Sequence, residues 1–384
     1  MAGVETSFSI TVGTLPDWYP DWQAPGVIRA IPNSSLDQAI TDNGWTEPTD
    51  IVAGGTGWPR GLYSFSGGTV AYLDGQPYLC VCGGGHATHA DNSIYAFGPL
   101  FGTNSSTPQW RRWGAQSANE DILTCVARNA DGRPTSRHTV GDFSFGLDRI
   151  VMLWSNSPYC ADGGTVADID VFDVVAGEWD AAKASPVTHS PHGLFPATHS
   201  MSTFHPHTGL FYAKGKGARD DSFGAYDPIS RTWADIAFSG DGSPNDCAIC
   251  TMGPRDYLFF LKETGRNAGR INVQTGVGEL WGGPVPTNTK AAVAYDTRQD
   301  RIYTPTTGVT DANQNMPAGS NTVAWLDAGG SASTPWVTET FHGDTPDQQR
   351  TGGTFGRWSY VPELAGFVLN NAHDSQIYFY RTSE

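Results

Sequence analysis

Histidine placement carries the first chemical suggestion in this chain of 384 residues. His189, His192, His199, His205 and His207 crowd one stretch, His138 precedes them, and His86 and His89 follow the glycine run Gly83-Gly84-Gly85. A metal site needs neutral imidazoles converging with a carboxylate or a third histidine. His86-Ala-Thr-His89 with Asp91 has a short spacing, as does His189-Ser-Pro-His192. Both pairs sit in Gly- or Pro-containing loops, where histidines ordinarily cap turns and bond backbone. No metal and no cofactor is expected.

Other reaction classes leave fewer marks. The chain has no GxSxG elbow, no GxxxxGK[ST] phosphate loop and no HExxH helix. Carboxylate pairs such as Asp168 with Asp170, or Asp220 with Asp221, are frequent in an acidic chain and read as solvated turns; no spacing singles out a glycosidase pair. Six cysteines are too few for a disulfide framework in a chain of this length, and Cys80, Cys82, Cys247 and Cys250 read as buried free thiols. One segment is built for contact: Pro16-Asp17-Trp18-Tyr19-Pro20-Asp21-Trp22 sets three large aromatics among prolines. Trp18, Tyr19 and Trp22 are candidate partner-binding residues, the alternative being that they pack on the chain's own fold.

The elements that must position these residues recur along the chain, and repeats decide the architecture. From about residue 60 one unit returns: a run of small and polar residues, a strongly apolar strand, a strand centred on Tyr or Phe, and a closing strand carrying Trp. Trp110 or Trp113, Trp179, Trp233, Trp281 and Trp336 close five such copies. A sixth, beginning at residue 351, has only three strands before the chain ends at Glu384. Four-stranded units with aromatic punctuation predict an all-β fold, a β-propeller of six visible blades, with residues 14–58 able to hide a seventh. The incomplete last unit calls for a strand from the other terminus, and the alternating SFSITVG at residues 7–13 is the expected donor. The expected organisation is residues 1–58 as closing strand and aromatic, proline-rich extension. Residues 59–384 form the propeller, one closed domain with residues 7–13.

Gly83-Gly84-Gly85-His86 followed by Asn92, Tyr95 and Trp110, and Tyr226-Asp227 followed by Trp233, resemble Kelch repeats of the galactose-oxidase type. The ending, residues 355–381, looks like the final blade of bacterial and phage-encoded Kelch-like propellers, including those of ulvan-type polysaccharide lyases. A copper site of the galactose-oxidase kind needs a cross-linked Cys and Tyr beside two His, and no residues here identify such a pair. The resemblance to lyase propellers implies a candidate catalytic set of His86, His138, His199, Arg357 and Tyr360. A uronate lyase needs a cation to neutralise the carboxylate and a His or Tyr to move the protons of β-elimination, and these side chains would supply them.

Charge narrows the partners. With 23 basic against 39 acidic residues the net charge is −16, and no basic run could neutralise a phosphate backbone, so nucleic acid is not an expected partner. No stretch of about 18 apolar residues exists, so no membrane span is expected either. The acidic chain, rich in Trp, Gly, Thr and Asn and poor in lysine, reads as extracellular, yet it begins without an export signal. A phage virion protein, made in the host cytoplasm and exposed on the particle, reconciles the two. The alternative is a secreted protein whose signal peptide lies outside this sequence. The expected function is a non-enzymatic recognition or decoration propeller binding a virion or surface protein, such as a capsid or tail partner, or a host glycan. The alternative is a polysaccharide (uronate) lyase acting at the central face of the propeller.

Overall fold

A computed structural model describes residues 24–46, 58–63, 66–82, 91–101, 108–114, 117, 128–134, 136, 139, 141, 143–152, 168–180, 185–186, 201–214, 222–240, 249–261, 268–283, 292–305, 321–347 and 354–382. Six antiparallel sheets form in chain order. Blade 1 comprises Gly68–Leu73, Gln76–Val81, Ile94–Gly98 and Gln109–Trp113. In blade 2, Phe143–Gly146, Arg149–Met152 and Asp168–Asp173 are followed by an outer strand in two pieces, Glu178–Trp179 and Ser185–Pro186. Blade 3 is Met201–His205, Leu210–Lys214, Ser222–Asp227 and Thr232–Ala237. Blade 4 is Ile249–Met252, Tyr257–Leu261, Ala268–Asn272 and Val277–Leu280, and blade 5 is Ala294–Asp296, Arg301–Pro305, Thr322–Asp327 and Val337–Thr340. Blade 6 has Trp358–Val361, Gly366–Leu369 and Tyr378–Arg381. The first strand of each blade packs against the first strand of the next, and that of blade 6 returns to that of blade 1, so the ring closes around an axis.

The blades hold together through their faces. Side chains alternate along a strand, so each sheet offers one set of residues to the preceding blade and the other to the following one. In blade 1, Leu79 and Val81 join Val368 and Phe379 of blade 6, whereas Tyr78 and Cys80 join Phe143 and Phe172 of blade 2. In blade 4, Leu258 and Phe260 face blade 3 while Phe259 and Leu261 face blade 5. Both faces of the sheet are buried, which is why Tyr257–Leu261 reads as an unbroken apolar run rather than an alternating one.

The fourth strand of blade 6 is Val27–Ala30, antiparallel to Tyr378–Arg381 with Ile28 opposite Tyr380. An N-terminal segment therefore closes the ring, but a different one from that expected. Tyr378–Arg381 is paired on both sides, by Val27–Ala30 and by Gly366–Leu369, so the place assigned to residues 7–13 is filled; residues 7–13 themselves lie outside the described residues. His342–Gly343, trailing from blade 5, adds a parallel pairing to the outer edge of Val27–Ala30, just as Ser239–Gly240 from blade 3 pairs the edge of blade 4. These pairings leave fewer unbonded edges. The chain then enters the α-helix Leu36–Asn43, started by Ser35 and stopped by Gly44 at φ 62°. Leu36 and Ile40 pack between blades 1 and 6, and Trp110 Nε1 donates to the Ser34 carbonyl at 2.7 Å. Of residues 14–58, those described form this strand and helix, and the ring has six blades.

Candidate functional site

The inner strands enclose an axial cavity of about 340 Å³. Register fixes which residues meet there. At the turn end of each inner hairpin, in the last pairing of blade 4 and the next to last of the others, stand Tyr72 (opposite Pro77), Phe145 (Ile150), Phe204 (Phe211), Met252 (Leu258), Tyr295 (Ile302) and Tyr360 (Phe367). These six equivalent positions form a collar of five aromatics and a methionine, all half-buried. One residue earlier stand Ala71, Ser144, Thr203, Thr251, Ala294 and Ser359, and one earlier again Val70, Phe143, Ser202, Cys250, Val293 and Trp358. All but Ala71 line the cavity, and no described lining residue is charged.

Local chemistry explains the position of the collar. Each inner hairpin turns through a left-handed residue just before the second strand: Gly75, Asp148, Gly209, Asp256, Asp300 and Ala365, with φ between 50° and 72°. In blades 2, 4 and 5 the carbonyl of that residue accepts the backbone N–H that opens the next turn, from Val174, Val273 and Ala328. Tight turns at one face of the ring thus fix the collar at that face.

The collar tyrosines are tied to carboxylates. Tyr72 donates to Glu363 Oε2 at 3.0 Å across blades 1 and 6, and Tyr295 to Asp300 Oδ1 at 2.9 Å. Tyr360 faces Asp296, which is fully buried and accepts the backbone N–H groups of Arg298 (2.8 Å) and Gln299 (3.3 Å) through Oδ1. Burial first, and the adjacent carboxylate second, pushes all three phenols well above their ordinary range. They stay neutral donors at physiological pH.

Of the five candidate catalytic residues, Tyr360 lines the cavity. Arg357 does not. It is 0% exposed, its Nε donates to the Asn370 carbonyl at 3.0 Å, its Nη1 to the Ser66 carbonyl, and its guanidinium lies 4.9 Å from the Tyr63 ring centroid. Burial lowers its pKa to about 10. Close approach of Gly68 and Gly356 makes this burial possible: a Cβ on Gly356 would collide with the Gly68 carbonyl, and one on Gly68 would meet Arg357 Cγ at 2.7 Å. His86, His138 and His199, like Trp18, Tyr19 and Trp22, lie outside the described residues. Among the described residues no group of three or more His, Cys, Asp or Glu is arranged to hold a metal, and no helix is long and apolar enough to cross a membrane. Cys80 and Cys82 are buried thiols outside any disulfide.

The sequence reading missed five of the six collar residues. The spacing signal is weak, because three to five residues separate each collar position from the left-handed turn residue that follows it.

No family model matches this chain, and no curated protein matches it. Among solved structures 610 chains match. One is a structural genomics protein of unknown function from Bacteroides thetaiotaomicron VPI-5482, 10% identical, with 92% of this chain and 75% of that chain covered and a TM-score of 0.48.

Proposed function

We propose that this propeller is a non-enzymatic recognition module, carried on a virion or cell surface, that binds its ligand at the ring axis. The axial wall, uncharged among the described residues, supports this reading most directly. Three registers of the inner strands bring hydroxyls and aromatic rings to the cavity and no described charged side chain. Such a wall can stack and hydrogen-bond but offers no cation to neutralise a carboxylate in β-elimination. Arg357, the residue nominated for that work, is engaged by two carbonyls and the Tyr63 ring.

The blades are, in this reading, of the Kelch type found in phage-encoded propellers. Aromatic punctuation supports it: Phe97 meets Trp110 with ring centroids 5.4 Å apart, Phe172 meets Trp179 at 5.3 Å, and Tyr226 pairs with Trp233. Asp173 and Asp227 each accept backbone N–H groups in the turn that follows. The test is mass spectrometry of particles and surface fractions from the native source, with mild proteolysis of intact particles. A chain present and cleavable on intact particles supports the assignment. Its absence from every particle and surface fraction overturns it.

A further inference from the structure

Resting on that recognition reading, we propose that the collar of Tyr72, Phe145, Phe204, Met252, Tyr295 and Tyr360 is a binding site for a neutral sugar ring. Its partly exposed aromatic faces are the first reason. A pyranose presents an apolar face of C–H groups and an edge of hydroxyls, which calls for aromatic faces beside neutral donors and acceptors. The Tyr72 and Phe145 ring centroids lie 6.0 Å apart at 36°, forming a continuous tilted platform across blades 1 and 2. Phe204 extends it by lying against Gly146, where a Cβ would strike its ring.

Behind the platform, Thr203, Thr251 and Ser359 line the cavity at the next register. Ser359 donates to the Gly356 carbonyl, and Thr203 and Thr251 bring hydroxyl-bearing side chains to the same wall. The cavity volume of about 340 Å³ falls at the small end of ligand sites, which suits one or two sugar residues rather than a protein segment.

Charge argues for a neutral sugar over an anionic one. The turns framing this mouth carry Asp74, Asp148, Asp256, Asp300 and Glu363 against Arg255 and Arg298, with Arg149 and Arg301 opening the strands that follow. The described wall supplies no cation to an anionic sugar, and the chain as a whole carries a net charge of −16.

The experiment is calorimetric titration of the full chain with neutral oligosaccharides (gluco-, manno- and galacto-) and with oligogalacturonate, in low salt. Phe145→Ala and Tyr295→Ala follow, each with its thermal midpoint recorded. We expect saturable binding of a neutral oligosaccharide, weaker or no binding of the anionic one, and about a tenfold loss of affinity in each variant that remains folded. Ligand-induced chemical-shift changes in the Thr251–Met252 and Ser359–Tyr360 amides of the unaltered chain provide the same test without substitution. No binding of any neutral oligosaccharide, or preference for the anionic one, overturns the proposal. Neutral binding with unchanged affinity in folded variants and no shifts at those amides overturns the collar as the site while leaving the recognition reading standing. Capture of a protein ligand at the collar in place of sugars also overturns it.

Discussion

Replacing Ile28 with alanine tests how the ring is closed. Ile28 is 0% exposed and packs with Phe341, Trp358 and Tyr380 between blades 5 and 6. Its strand is bonded on both edges: Gly26 donates to the Arg381 carbonyl at 2.9 Å, and Asp344 donates to the Ile28 carbonyl at 3.0 Å. Removing three buried carbons at such a site costs about 2–5 kcal/mol. For 384 residues the unfolding entropy is roughly 0.8 kcal/mol per kelvin, so the midpoint should fall by about 2–6 °C. Calorimetry measures that fall, and amide hydrogen exchange across Tyr378–Arg381 localises it, because opening of the closing strand exposes those amides first. Ile10→Ala, in the segment whose alternation nominated it as the closing strand, should leave their protection unchanged. Full protection of Tyr378–Arg381 in Ile28→Ala, or its loss in Ile10→Ala, would refute closure by Val27–Ala30.

Arg357→Ala should lower stability by about 3–5 kcal/mol, since it strands the Ser66 and Asn370 carbonyls at about 1–3 kcal/mol each; ligand affinity per folded molecule, read by titration, should not change. Asp91→Ala should cost a similar amount in denaturant melts, because Asp91 accepts from Tyr95 OH at 2.5 Å, Trp58 Nε1 at 2.9 Å and the Ser93 N–H at 2.9 Å, all left without an acceptor. Alkali should destabilise the fold. Burial raises the phenols of Tyr63, Tyr72, Tyr303, Tyr360 and Tyr380, and Tyr378 to about 12, so above the ordinary value of 10.0 the unfolded chain loses protons that the folded one keeps. Stability is then fully present below about pH 10 and falls above it; urea melts from about pH 8 to about pH 11 check this, and a flat profile would contradict the burial argument.

Most of the ring was legible because its signals are local. The apolar run Tyr257–Leu261, the turn at Asp74-Gly75 and the closing Trp179 and Trp233 each announce a strand or its end within a few residues. The closing strand was harder: Val-Ile-Arg-Ala is four residues long, lies outside any repeat, and gains its stability from partners more than three hundred residues away. The burial of Arg357 was illegible for the same reason. Its place beside Trp358 at an inner strand suggests an axial cation, whereas its burial depends on two glycines from blades 1 and 6 that sequence spacing cannot bring together. The collar was hidden twice over: its distance to the following turn varies from three to five residues, and its residue types vary from Tyr through Phe to Met.

Recognition without turnover is the central claim, and product analysis tests it most directly. The purified chain, at high concentration and over many hours, is incubated with a panel of neutral and uronate-containing oligosaccharides, and every saccharide is then weighed by mass spectrometry. The account predicts that all masses are unchanged while a neutral member of the panel is retained by the protein. Shortened chains, above all ones ending in an unsaturated uronate, would contradict it.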